Sequence, residues 1–317
     1  MCAAVSRGQV IFGKGEIMKE KNVAEAGGLS THQRKRLMGY LFLLPAVLSF
    51  IYFVWYPLIL TFVMSLEKVS LAGATSFVGL ANFKTLFADP VFGQAWRNAA
   101  YFTILALIFG YLVPVIVAVL INEVRRGQAF FRIAVYLPKV APSVAVSILW
   151  LWMFDPSLGL LNTLLGWFNI PPSQWLLSSK TALPSLVLMA TWAGFGGTAI
   201  IYLAGLQGIP EELYEAAEID GANVWQRAWN ITVPQLRPVM AVMFILQILG
   251  TMQVFSEPFI MTGGGPNNAT MTILLLIYRY AFTYMDMGVA SAASLLLFIV
   301  LAILSYIHFK LDSRAEA

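Results

Sequence analysis

Six stretches of this chain stay apolar for long enough to cross about 30 Å of hydrocarbon, a crossing that takes roughly 20 helical residues. They cover residues 37–66, 99–120, 133–154, 183–207, 239–261 and 288–309. Backbone groups in lipid must be satisfied within the segment, which makes these blocks helices. The alternation of apolar and polar residues that marks a membrane β-barrel is absent. Composition agrees: 59% of the side chains are hydrophobic and 11% are charged, against roughly 25% charged in soluble domains. The expected fold class is an all-α membrane protein of six transmembrane helices. A tail over 1–36 precedes the spanning domain at 37–311, and a short tail at 312–317 follows it.

The positions of the basic residues give the orientation. Arg7, Lys14, Lys19, Lys21, Arg34, Lys35 and Arg36 precede the first span, Arg125, Arg126 and Arg132 follow the second, Arg227 and Arg237 follow the fourth, and Lys310 and Arg314 follow the last. The opposite side carries only Lys68, Lys84, Arg97, Lys180 and Arg279. Both termini are therefore expected in the cytoplasm, and the net charge of +4 needs no nucleic acid to explain it. Cys2 is the lone cysteine and His32 and His308 lie far apart, so no metal site is expected. The polar tail is unlike a cleavable signal peptide. Within it, Gly8 to Gly15 fits the Gly-x4-Gly-Lys part of a phosphate loop, but Gly15 stands where a magnesium-binding hydroxyl is needed.

Trp55, Trp96, Trp150, Trp152, Trp167, Trp175 and Trp192 lie mostly near span ends and read as interfacial anchors. Lys139, near the cytoplasmic end of the third span, reads as a snorkelling side chain. The Gly-rich turn from Thr262 to Asn268 precedes a shorter apolar stretch over 271–282. Twelve residues rise only about 18 Å as a helix, so this stretch reads as an interfacial or re-entrant helix on the outer side.

The polar interruption at 209–234 is the most informative segment. Pro210 with Glu211 and Glu212 makes a helix start, Asp220-Gly221 a sharp turn, and Asn223 with Gln226 a capping-box pair that opens a second short helix, which Pro234 is expected to stop. Glu215-Ala216-Ala217, three residues, Gly221, nine residues, Ile231, one residue, then Val233-Pro234 resembles the EAA loop of ABC importer permeases. Val233 stands where that family usually has leucine. The likeness extends to the Gly79 to Phe83 run, Leu137-Pro138 with Pro142 and Trp150, Gly159 to Asn162, and Thr262 to Pro266 with Thr270. Together these resemble the carbohydrate-uptake branch, similar to maltose and glycerol-phosphate permeases.

The resemblance implies a type I importer permease of a bacterial or archaeal inner membrane, moving a sugar or related polar solute inward by alternating access. It implies Glu215, Ala216, Ala217, Asp220 and Gly221 as the contact to the motor. It also implies a second permease subunit, two cytoplasmic ATPase subunits holding ATP and Mg, and an extracytoplasmic solute-binding protein. No cofactor is expected on this chain, and it is not an enzyme itself.

A solute path should show polar groups on inward helix faces. Gln247 and Thr251 follow helical spacing, with Gln253 and Glu257 four apart on a neighbouring face. The fourth span contributes Trp192 and Tyr202 among hydroxyls and rings. Gly194, Gly196 and Gly197 read first as helix packing and second as ligand approach. An ion-coupled secondary transporter is the alternative reading, and a membrane-embedded enzyme a third. The spans show neither midplane charges with repeats nor a paired catalytic constellation.

Overall fold

The computed structural model describes residues 31–69, 75–124 and 126–315. Most of the N-terminal tail, with its glycine-lysine run, lies outside the described residues. Contacts divide the chain into a unit ending at Ile59 and a unit beginning at Leu60. The first holds α1 (Thr31–Phe50), a π turn at Ile51–Trp55 and the start of α2 (Tyr56–Ser65). Within it the Tyr52 and Tyr56 rings stack with centroids 6.1 Å apart.

In the second unit, a two-stranded antiparallel ribbon of β1 (Glu67–Val69) and β2 (Thr75–Phe77) leads to α3 (Ala81–Ala88). The second expected span is longer than hydropathy suggests. It is α4 (Pro90–Glu123), 34 residues beginning nine residues before the expected start. The reason is its cap: the Asp89 carboxylate accepts from Val91 N–H at 2.8 Å with Pro90 in the first turn, a start signal that carries no hydrophobicity.

The third expected span is not continuous. It is α5 (Gln128–Val140) and α6 (Ser143–Met153), bent by 93°. Ala141 precedes Pro142 and is pushed to extended backbone with ψ 141°, which the clash with a proline ring requires. The chain then runs through α7 (Leu160–Trp167) to α8 (Ala182–Leu206). Helix α8 crosses α5 with no space to spare, because a Cβ on Gly196 would lie 1.9 Å from Val135 O. Here the packing reading of a small residue holds.

After the 209–234 segment, α11 (Val233–Met252) breaks at 253–255 before α12 (Ser256–Met261), so the fifth span is also interrupted. A short helix α13 (Ile273–Tyr278) with a π turn at Arg279–Thr283 precedes the last helix, α14 (Met287–Ala315). Among the described residues five helices are long and apolar enough to cross a membrane, and the bent α5–α6 pair makes six if it is one span.

Three apolar clusters hold the second unit together. Leu86, Phe92, Met271, Ile273 and Ala292 join α3, α4, α13 and α14. Phe102, Trp150, Phe154, Leu186 and Met261 join α4, α6, α8 and α12. Trp150 is therefore a core residue, 5% exposed and against the Phe154 and Trp192 rings, not the interfacial anchor its position in the sequence suggests. The third cluster gathers Ala118, Ile121, Tyr202, Leu203 and Leu236 from α4, α8 and α11.

Candidate functional site

The 209–234 segment folds as a hairpin. Its first arm is α9 (Glu211–Ile219), with Pro210 one residue before the helix. Gly221 N–H donates to Glu218 O at 3.0 Å and Ala222 N–H to Ala217 O at 2.8 Å, the paired bonds of a Schellman ending. Gly221 has φ +76° with open space around it, so glycine is needed here for backbone conformation alone. Asn223 then opens α10 (Val224–Arg227) with both capping-box bonds present, 2.9 and 2.8 Å.

Pro234 does not stop this second arm. A π turn at Ala228–Thr232 carries α10 directly into α11, with Val233 N–H bonded to Ala228 O. A proline costs its own N–H and clashes with the carbonyl four residues back. The widened turn shifts hydrogen bonds from the fourth to the fifth residue, which accommodates both problems.

Two ties stiffen the hairpin against the base of α11. Tyr214 Oη lies 3.0 Å from Thr232 Oγ1, and Arg227 pairs with Glu218 across the turn. Arg227 is half-buried and its Nε has no partner. Glu215, Ala216 and Asp220 are exposed and Ala217 is half-buried. Beside them stand apolar side chains turned outward: Ile219 is 87% exposed and Trp225 76%. No residue of α9 or α10 is buried.

The far end of α11 borders a cavity of about 390 Å³ between α4, α5, α8, α11 and α12. Gln247, Thr251, Gln253 and Glu257 all line it, together with Thr191 and Thr198. The rings of Phe102, Phe195 and Phe255 supply apolar wall. Gln247 reaches across to α4, where its Nε2 donates to Ala106 O at 3.4 Å. A Cβ on Gly110 would come within 2.9 Å of the same nitrogen.

Two expected residues are elsewhere. Tyr202 is fully buried in the third cluster, near Tyr111, and does not border the cavity. The Trp192 ring leans on Trp150 at 5.6 Å instead. Helical spacing from Thr191 and Thr198 could have excluded Tyr202 only if the packing of α4 against α8 were known. Lys139 is exposed and also lines the cavity, with Gly194 and Thr198. The 93° bend two residues later changes where this end of α5 points, and hydropathy carries no signal for that.

At the Gly-rich turn over 262–268, Asn98 Nδ2 donates to Asn268 O at 2.8 Å and Met271 O at 2.9 Å. Thr262 Oγ1 meets Thr270 Oγ1 at 2.7 Å, and Arg279 donates to Gly263 O. Gly264 has φ +91°, and a Cβ there would lie 2.5 Å from Met271 Cε. Tyr280 donates to Asp89, and burial, reinforced by that carboxylate, pushes its phenol up from the ordinary value.

Residues 110–316 match the model of a family described as the binding-protein-dependent transport system inner membrane component. The chain is 35% identical over 282 residues to the probable ABC transporter permease protein YurN of Bacillus subtilis (strain 168), covering 87% of this chain and 96% of that protein. It is 33% identical over 291 residues to the arabinooligosaccharides transport system permease protein AraP of the same organism, covering 91% and 92%. Among solved structures it matches a chain of the bacterial alginate ABC transporter in complex with an alginate pentasaccharide-bound periplasmic protein. The TM-score is 0.79 at 26% identity, over 89% of this chain and 96% of that one.

Proposed function

The chain belongs to the family of binding-protein-dependent transport system inner membrane components, and on that premise we propose that it passes a saccharide inward through the cavity at the end of α11, driven from the hairpin at its start. It is a multi-pass membrane protein and a permease subunit of an ABC importer. Membership sets aside the ion-coupled secondary transporter. The solute class follows the relatives, of which one is named for arabinooligosaccharides and a structural neighbour for alginate. The cavity wall suits it, since hydroxyls and amides alternate with rings, as hydroxyls alternate with apolar faces on a sugar.

The observation that carries the reading is the continuity of α11. The hairpin is tied to the π turn, the π turn runs into α11, and Gln247 and Thr251 stand near its other end. Twenty residues of helix span about 30 Å. A rigid rod of that length converts displacement at the hairpin into displacement at the cavity. Such coupling requires that the hairpin's partner contact it differently in two states.

The exposed Ile219, Val224 and Trp225 side chains form an apolar surface for such a partner. Glu215, Ala216, Ala217, Asp220 and Gly221 contribute polar rim and close approach. The partner is a cytoplasmic ATPase subunit that holds ATP and Mg, two copies to the complex, with a second permease and an extracytoplasmic solute-binding protein completing it. Both termini then lie in the cytoplasm, as the basic residues imply.

The test is the reconstituted complex. Glu215→Arg should leave the permease inserted and abolish the rise in ATP hydrolysis that loaded binding protein produces. A stimulated rate equal to that of the unaltered complex would defeat the coupling assignment.

A further inference from the structure

The solute cavity does not end at Lys139. A second cavity of about 520 Å³ begins there, bordered by Tyr136, Lys139, Gly194, Gly197, Thr198 and Ile201. Lys139, Gly194 and Thr198 belong to both walls. Ile201 lies further along α8 toward the hairpin, so Lys139 stands at the threshold between a chamber containing Glu257 and one nearer the hairpin.

Its stem passes over one glycine, Gly197. A Cβ on Gly197 would sit 3.5 Å from Lys139 Cγ and 3.9 Å from both Cδ and Cε, and a Cβ on Gly194 would meet nothing within 4 Å. The four-carbon stem thus lies along bare α8 backbone. Among the described residues no hydrogen bond or ion pair fixes the Lys139 ammonium. The other charge on these walls, Glu257, borders the first cavity alone.

We propose that Lys139 sorts solutes by charge, its ammonium favouring saccharides that carry a carboxylate or phosphate over neutral ones of the same size. The inference rests on the saccharide reading of the cavity. The Lys139 side chain is exposed, so its ammonium can meet an anionic group on a passing solute. A hydrogen bond in which both partners are ionised is shorter and stronger than a neutral one. The resulting preference at the threshold is about tenfold, from the difference between charged and neutral hydrogen bonds.

The experiment is calorimetric titration of the purified importer complex in detergent with digalacturonate and its neutral counterpart galactobiose, then with glucose 6-phosphate and glucose. The complex should bind the charged sugar of each pair about tenfold more tightly, with the ratio falling as salt is raised. Lys139→Gln should bring the ratio to one, and Lys139→Arg should keep it. A carboxylate preference without a phosphate preference supports the filter and identifies the anion. Equal affinity within both pairs in the unaltered complex, or a preference that survives Lys139→Gln, overturns the filter and leaves the saccharide path standing. Absence of binding by all four sugars overturns both. If Lys139→Gln binds nothing, Lys139→Arg decides, and its loss of preference overturns the proposal.

Discussion

Two glycine turns, one on the hairpin and one in the 262–268 loop, have left-handed backbone for opposite surroundings. Gly221 has φ +76° and empty space where a side chain would go, whereas Gly264 has φ +91° with Met271 Cε 2.5 Å from the same position. The hairpin around Gly221 buries no side chain of α9 or α10. The 262–268 loop is roofed by Met271, Leu275 and Arg279 and bonded from Asn98. The hairpin, which we propose meets a partner, stays bare and takes its rigidity from caps and short ties. A surface that must hold helix ends together takes it from packing.

The contrast can be broken by substitution, beginning with the largest effect. Gly264→Ala should cost about 2–3 kcal/mol, mostly left-handed backbone strain with a smaller part for moving the terminal methyl of Met271. Thermal unfolding of the purified protein measures it, and a loss no greater than that at Gly221 would erase the distinction. Asn98→Ala removes the donor to two carbonyls at a buried site and should cost about 2 kcal/mol in the same assay.

Gly221→Ala should cost about 1 kcal/mol, the left-handed penalty alone, because no neighbour has to move. Ile219→Ser should change stability by less than about 0.5 kcal/mol, as exposed substitutions do. That variant nevertheless should copurify with less ATPase subunit, and undiminished copurification would remove Ile219 from the docking surface.

The same two turns show what sequence can and cannot convey. Glycine, proline and asparagine signal turns locally, so the Asn223–Gln226 capping box and the Gly221 ending were legible. The crowding at Gly264 was not, since Met271 approaches only once the loop is closed. Six apolar blocks gave the span count, while the break at Ala141–Pro142 came from a local clash that hydropathy ignores. At the cavity, spacing along one helix grouped Gln247 with Thr251, and both line it. Tyr202 lies away from this cavity because its face packs against α4 and α11. Lys139 was missed because its neighbours Gly194 and Gly197 are more than fifty residues away and only become a groove when α5 and α8 cross.

The π turn at Ala228–Thr232 has a consequence for how this chain can change length. Such a turn contains one residue more than an α turn. Deleting one residue inside it leaves the helix faces on either side in nearly the same register, so the hairpin and the Gln247 face would keep their headings. The same deletion in mid-α11 would rotate everything beyond it by about 100°, one residue's share of a 3.6-residue turn. It would also restore the carbonyl that Pro234 clashes with. Relatives shorter by one residue at this place should therefore also lack proline at the position of Pro234, which makes loss of the residue and loss of the ring a single heritable step.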